Sequence, residues 1–583
     1  MSSRTYEGGQ RPAPSFLDAL DSGRLEWGLF HPFPRQSPQE QAAGDATVAG
    51  LEAFLRARLD PDDVDLTGEL PAGFLRDLRE SGYLKLCLDA GIGGLELSAY
   101  DAFRAVERAA SWCMPAGQML AIQAGVGAPA LLPALPPGPL ADFVTTRLQE
   151  GAVSGFGLTE PAGQNNAWPG TTATRSEDGA CYVLRGEKVF TGHGPVADLL
   201  PVAATEHGLD GRRLCICFVD TSAAGFEVTS RIEFTGSRGL PNGALRLDEV
   251  RVPAEYVVRS EPEDPRFPDL MASAVLIGQL YFTAAPAVAI SKLCLQWSGE
   301  FIARRSVNGR GLGEYDAIQR ILGDTLAEVY AVESVIRWSL LDSGPADRWF
   351  ERLAAKNLAV RASWRIVDRT VSLYGGEGIE TVPSKLRRGA PPVPLERRLR
   401  DARGLRIAGN VDFQLDSQAG RKLLARHYSG DVGEPGQGLG AEHPAEAGLS
   451  PANRTHLGSA KQQVQRFHEK CRELVRRFPD QDLLFEEEHT VILLGRIAAE
   501  LFAVCAVLAR AAGQSAAGDP TEGGQLAEVY CTTAGHRLAD LWRQLYAESG
   551  SHSGTEAGPA YAKISRQWLA ERTYADLHGG AGA

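Results

Sequence analysis

A histidine, a short run of side-chain amides and a turn almost free of carboxylates are the places in this sequence where chemistry could be done. His193 sits in the loop-like stretch GEKVFTGHG. Its imidazole titrates near neutral pH and could accept or donate a proton, although a loop histidine more commonly caps a chain end or faces water. Gln164, Asn165 and Asn166 follow the tetrapeptide LTEP. Each amide offers donors and an acceptor to a polar ligand. The stretch LRDARGLRIAGNVD, residues 399–412, has carboxylates only at Asp401 and Asp412. Proton removal between those two positions would need another group. Metal chemistry is not indicated. The nine cysteines are scattered, and their one close pair, Cys215 and Cys217 in RLCICFVD, reads as strand packing, because residues two apart on a strand share a face. A Cys-x-Cys pair is also a poor chelate without further Cys or His nearby.

These residues need elements to position them. Residues 1–45 are rich in Pro, Ser and Gly and are expected to form a flexible N-terminal arm. Over 46–150, VAGLEAFLRARL, PAGFLRDLRESG and YDAFRAVERAA repeat apolar residues at helical spacing and predict a helical domain. Over 151–262, short β-rich runs such as CYVLRGEKVFTG, LCICFVD and GALRLDEVRVP predict a small, mostly antiparallel β domain. Long helical segments return over 263–430 and predict a bundle. Residues 431–452 read as a Gly/Pro-rich linker. Beyond it, 453–583 form a further helical unit, with Leu457, Val464, Phe467, Cys471, Leu474 and Phe478 on one helical face. The fold class is therefore α+β.

Composition narrows the partners. The chain has 583 residues, more than one core ordinarily holds, and a formal net charge of −13. That charge argues against nucleic-acid binding, which places Lys and Arg on phosphate. The odd cysteine count and the lack of a signal peptide predict a reducing, cytoplasmic location. The most apolar run, VILLGRIAAELFAVCAVLARAAG, includes Arg496, Glu500 and Arg510, so a buried helix is expected in preference to a membrane span.

The order of domains gains meaning from its motifs. GFGLTEPAGQNN, YVLRGEKVFTGHGPVAD, LRLDEVRVP, ARRSVNG, YGGEGIE and RDAR occur in that order. In sequence and spacing they resemble the acyl-CoA dehydrogenases over about residues 60 to 425. The C-terminal unit resembles the extension of the very-long-chain type. The resemblance implies an FAD-dependent oxidoreductase acting on an acyl thioester of CoA or a carrier protein, in a homodimer or higher homo-oligomer. A carboxylate removes the α proton in such enzymes while hydride passes to the flavin. It implies that Phe156, Leu158 and Thr159 lie along the flavin, with Phe190 stacked on it. Gly192 falls where a hydroxyl bonds the flavin, leaving neighbouring Thr191 as the substitute. Arg305 falls on the residue that contacts the partner's FAD pyrophosphate, and Gly375 and Gly376 would let the backbone approach the same cofactor. Gln164 and Asn165 stand at the substrate's pantetheine, where the family carries a Gly-Ser-Asp element.

One feature of the family is missing. Its usual catalytic Glu falls on Gly409, and the alternative position on the first bundle helix falls on Gln279. Neither side chain takes a proton at neutral pH. Both are expected at the substrate, with His193 the remaining titratable candidate. A Pro-rich insertion from about Arg387 to Arg397 precedes this segment. Three readings stay open: a flavoenzyme of altered chemistry, for instance in secondary metabolism; a degenerate subunit with a heteromeric partner; and a flavin-free member performing a non-redox step on a thioester.

Overall fold

The computed structural model describes residues 15–163, 166–264, 275–341, 348–430, 443–516, 521–550 and 561–571. Residues 15–45, expected as a flexible arm, instead fold into the body of the molecule. Helix α1 (Phe16–Ser22) buries Phe16 and Leu20, and the following turns bury Trp27, Phe30 and Phe33. The Phe16 amide donates to the Glu351 carboxylate at 2.7 Å. Elements this short carry no readable period, but each aromatic ring buried gains about 1.5–3 kcal/mol. Helix α2 (Pro38–Arg58) begins earlier than the apolar pattern indicates, because Ser37 and Glu40 form a reciprocal capping box with Pro38 at the first helical position. Residues 1–14 of the expected arm lie outside the described residues.

Helices α3 (Ala99–Trp112) and α4 (Met114–Gly125) follow. Every residue of α4 is buried, so it is a central helix with neighbours all round. Seven strands then make one sheet: β1 (Thr172–Arg175), β2 (Cys181–Gly192), β3 (Leu199–Gly208), β4 (Gly211–Asp220), β5 (Phe226–Arg231), β6 (Asn242–Pro253) and β7 (Val257–Arg259). Their order is β5-β6-β2-β1-β3-β4-β7. The sheet is mostly antiparallel, as expected, with β1 running parallel to β3 as its one parallel pair. Strand β4 shows why its sequence is apolar throughout. Cys215, Cys217 and Val219 enter the core of the β domain, while Ile216 and Phe218 pack against Leu131, Val144 and Leu148 of the helical domain. Burial on both faces replaces alternation.

The bundle contains α5 (Ala285–Arg304), α6 (Asp316–Leu340), α7 (Trp349–Tyr374), α8 (Leu395–Leu405) and α9 (Asp412–Ser429). The C-terminal unit adds α10 (Pro451–Arg477), α11 (Glu488–Ala516) and α12 (Thr521–Gly550). It shares its core with the bundle. Phe16, Phe30, Trp338 and Phe502, drawn from the N-terminal segment, the bundle and α11, meet with ring centroids 5.0–5.8 Å apart. As expected, α11 is a buried helix, with Leu494, Leu501 and Leu508 fully enclosed. Helices 275–304 and 488–515 are long and apolar enough to cross a membrane, but most of each is covered by protein. Part of the expected linker, residues 431–442, lies outside the described residues.

Candidate functional site

The turn between α8 and α9 holds two consecutive residues in the left-handed region, Gly409 at φ 63° and Asn410 at φ 80°. Gly and Asn are the residues that adopt this conformation at least cost. The turn lays Gly409 on the helix that leads into α5. A Cβ at Gly409 would lie 3.2 Å from the Cγ of Gln279. Gly409 and Gln279, the two positions that the sequence resemblance assigns to the carboxylate, are therefore neighbours in space, and neither is titratable. Gln279 precedes a π-helical turn, Leu280–Ala284, of the kind common at functional sites. The Thr283 hydroxyl donates to the Gln279 carbonyl at 2.6 Å. The Gln279 side-chain oxygen is buried without a donor among the described residues.

Asp412, the nearest carboxylate along the chain, is engaged by two arginines. Arg406 and Arg361 donate to its Oδ2 at 2.8–3.1 Å. Burial alone would raise its pKa, but the two guanidiniums override that and hold it below the usual carboxylate range. Lys356 donates to the Asn410 carbonyl at 2.9 Å, and burial pushes its ammonium down to about 7.

Helix α4 connects this point to the sheet. Gly125 meets Gly278 closely, since a Cβ on Gly125 would lie 2.6 Å from the Gly278 Cα. One turn earlier, Ile122 fills the space beside Gly192, where a Cβ would lie 2.6 Å from Ile122 Cδ1. An aliphatic side chain thus fills the space at Gly192, where the sequence resemblance implies a hydroxyl. Thr191 does not stand in openly: it is buried, and its Oγ1 has no partner among the described residues. Phe190, at φ 57°, is 56% exposed and lies 6.1 Å from the Phe234 ring. Phe156, Leu158 and Thr159 are half-buried on the adjoining segment, whose Thr159 carbonyl accepts from the Val189 amide at 2.8 Å.

His193 is in the interior, not at a solvated edge. It is wholly buried, and its Nδ1–H donates to the Ser154 carbonyl at 2.8 Å. A carbonyl only accepts, so Nδ1 carries a proton, and in the neutral ring that burial favours the lone pair is on Nε2. That atom has no partner among the described residues. Burial pushes the ring down to about 4, which makes it a weak base.

Sequence reasoning missed the ion pair within LTEP and GEK. Lys188 is fully enclosed and its Nζ lies 2.7 Å from Glu160 Oε1. Glu160 also accepts from the Gly170 and Thr171 amides at 2.6 and 2.8 Å. Burial opposes its ionisation, but Lys188 and Thr171 outweigh that and bring it down to about 2. The signal was present: Lys188 shares the inward register of Tyr182 and Leu184 along β2. Arg305 is exposed at the end of α5, and none of the described residues packs where a Cβ on Gly375 or Gly376 would stand. The Arg304–Glu377 ion pair at 3.0 Å and the stacked Phe301 and Tyr374 rings at 4.2 Å bring these positions to one end of the bundle. Gln164 and Asn165 lie outside the described residues.

The chain matches the acyl-CoA dehydrogenase N-terminal domain over residues 42–134, the middle domain over 155–250 and the C-terminal domain over 281–419. It is 30% identical over 575 residues to the probable acyl-CoA dehydrogenase FadE10 of Mycobacterium tuberculosis, covering 92% of this chain and 87% of that one. It is 23% identical over 572 residues to the mitochondrial very long-chain specific acyl-CoA dehydrogenase of Bos taurus, covering 92% and 84%. The crystal structure of an acyl-CoA dehydrogenase complexed with FAD from Bacillus anthracis has a TM-score of 0.73 and 16% identity, covering 96% of this chain and 95% of that one. The chain belongs to the acyl-CoA dehydrogenase family, whose members are FAD-dependent oxidoreductases acting on acyl-CoA.

Proposed function

We propose that this protein is an FAD-dependent enzyme acting on an acyl thioester, carried by CoA or a carrier protein, without a carboxylate base at the reacting carbon. The observation that supports this reading is the close approach of Gly409 to Gln279, the two uncharged residues to which the sequence resemblance assigns the base. Phe190 offers an exposed ring to a flavin, Leu158 and Thr159 supply the neighbouring segment, and the open backbone at Gly375 and Gly376 with the exposed Arg305 suits the pyrophosphate of a cofactor in a dimer. FAD, when bound, supplies the hydride acceptor. The Gln279 side chain orients a polar group of the substrate through its unpaired oxygen but takes no proton. A positioned base contributes about 10²- to 10⁴-fold in rate, so the substrate fitting this site carries an unusually acidic α proton or loses none. Such a substrate fits a biosynthetic pathway of secondary metabolism better than the degradation of simple fatty acids. Ile122 in the place of a flavin-bonding hydroxyl favours a second reading, in which the site binds a thioester without redox chemistry.

Gln279→Glu tests the proposal, because it changes one amide to a carboxylate at nearly constant shape. Oxidation of straight-chain acyl-CoAs of several lengths is followed with an artificial electron acceptor. The wild type is expected to be slow, and the variant faster by about 10²- to 10⁴-fold on the chain that fits. Full wild-type turnover with no gain in the variant would overturn the reading.

A further inference from the structure

Beneath the Gly409 turn, two buried carboxylates hold three arginines from three parts of the fold. Asp412, the first residue of α9, accepts from Arg406 and Arg361. Asp416, one turn later and 2% exposed, accepts from Arg361, from Asn357 at 2.8 Å and from Arg496 at 2.9 Å. Asn357 also donates to the Asp412 carbonyl at 2.8 Å, and Lys356 beside it holds the Asn410 carbonyl. Arg361 is thus shared between the two carboxylates, and it shares Asp416 Oδ2 with Arg496. Arg496 comes from α11, in the C-terminal extension. Its neighbour Gly495 lies so close to α9 that a Cβ there would be 2.1 Å from the Asp416 carbonyl oxygen. The extension therefore touches the helix that follows the turn by backbone contact and by charge at the same residue.

We propose that Arg496 is a positioning residue for the Gly409 turn, so that the C-terminal extension helps to set the geometry of the reacting site. It acts by satisfying Asp416, which leaves Arg361 free to keep its second bond to Asp412. Without Arg496, Arg361 is drawn to Asp416 alone, and Asp412 loses one of the two arginines that anchor the start of α9. A buried carboxylate missing a charge-assisted partner pulls on those that remain. This inference rests on the reading that Gly409 and Gln279 mark the substrate site.

Hydrogen exchange of the full-length, FAD-supplemented protein tests it, read at the amides of residues 404–412. Arg496→Met is expected to speed exchange there about tenfold, as for the loss of one buried charge-assisted bond. Arg496→Lys, which keeps the charge, is expected to return it to within about twofold of wild type. The control is Arg510→Met, which breaks the bond of the same helix to Glu333, 3.3 Å away in the bundle, and is expected to leave 404–412 unchanged. Arg496→Gln carries the test if the methionine variant does not fold. Octanoyl-CoA added to the wild type separately reports whether the turn is the site, by slowing its exchange. Unchanged exchange in Arg496→Met, or an equal rise in Arg510→Met, overturns the role of Arg496. Faster exchange in Arg496→Met without protection by octanoyl-CoA overturns the site assignment beneath it.

Discussion

His193 carries its proton on Nδ1, where the Ser154 carbonyl accepts it, and keeps Nε2 inside the protein. Burial holds the folded ring down at about 4, below its ordinary value near 6.5. As pH falls, the unfolded chain takes up the proton first. The stability contributed by the neutral ring is therefore complete above about 6.5 and is lost as pH falls towards about 4. His427 behaves alike: burial first, then the nearby His468, push it down to about 4. We expect urea unfolding to show a loss on the order of 2–3 kcal/mol per histidine between pH 7 and pH 4. His193→Asn, which tolerates the left-handed backbone at φ 64° and does not titrate over this range, should make that acid limb shallower. An unchanged pH dependence would show that the ring is not enclosed in solution. The sequence marked His193 as titratable, but its burial follows from the packing of β2 against Ser154, which no local pattern records.

Helix α4 links the turn to the sheet through close crossings at Gly125 and Gly192. Alanine at Gly125 would force α4 and the Gly278 backbone apart and shift Gln279, at a cost of about 1–3 kcal/mol in chemical denaturation. Alanine at Gly299, on the open face of α5, should be neutral or stabilising by up to about 1 kcal/mol. Equal effects at the two positions would contradict the crossing. Much at this scale was legible. The apolar period located the bundle, and the face from Leu457 to Leu474 is buried as expected. The meeting of Gln279 with Gly409 was not legible, because the two lie on different elements and only the crossing of those elements makes them neighbours. The parallel pairing of β1 with β3 was hidden for a similar reason, since strand patterns give faces but not partners.

The whole molecule is more continuous than its sequence divisions. The N-terminal segment looked like an arm because Pro and Ser dilute its aromatics, yet Phe16 and Phe30 complete a cluster with Trp338 and Phe502. The C-terminal unit looked separable because a Gly/Pro-rich stretch precedes it, yet α11 packs within the same core. Deleting residues 431–583 should therefore expose that cluster and yield aggregated or unfolded protein, read by circular dichroism and gel filtration. A soluble 1–430 chain that unfolds cooperatively would contradict the shared core. Whether this member of the family works with flavin at the site proposed to lack a carboxylate base is read first from the visible absorption spectrum of the purified protein before and after addition of FAD. Flavin absorbance is expected to stay with the protein through gel filtration at about one FAD per chain. Colourless protein after incubation with excess FAD would contradict this expectation and leave a thioester site without redox chemistry.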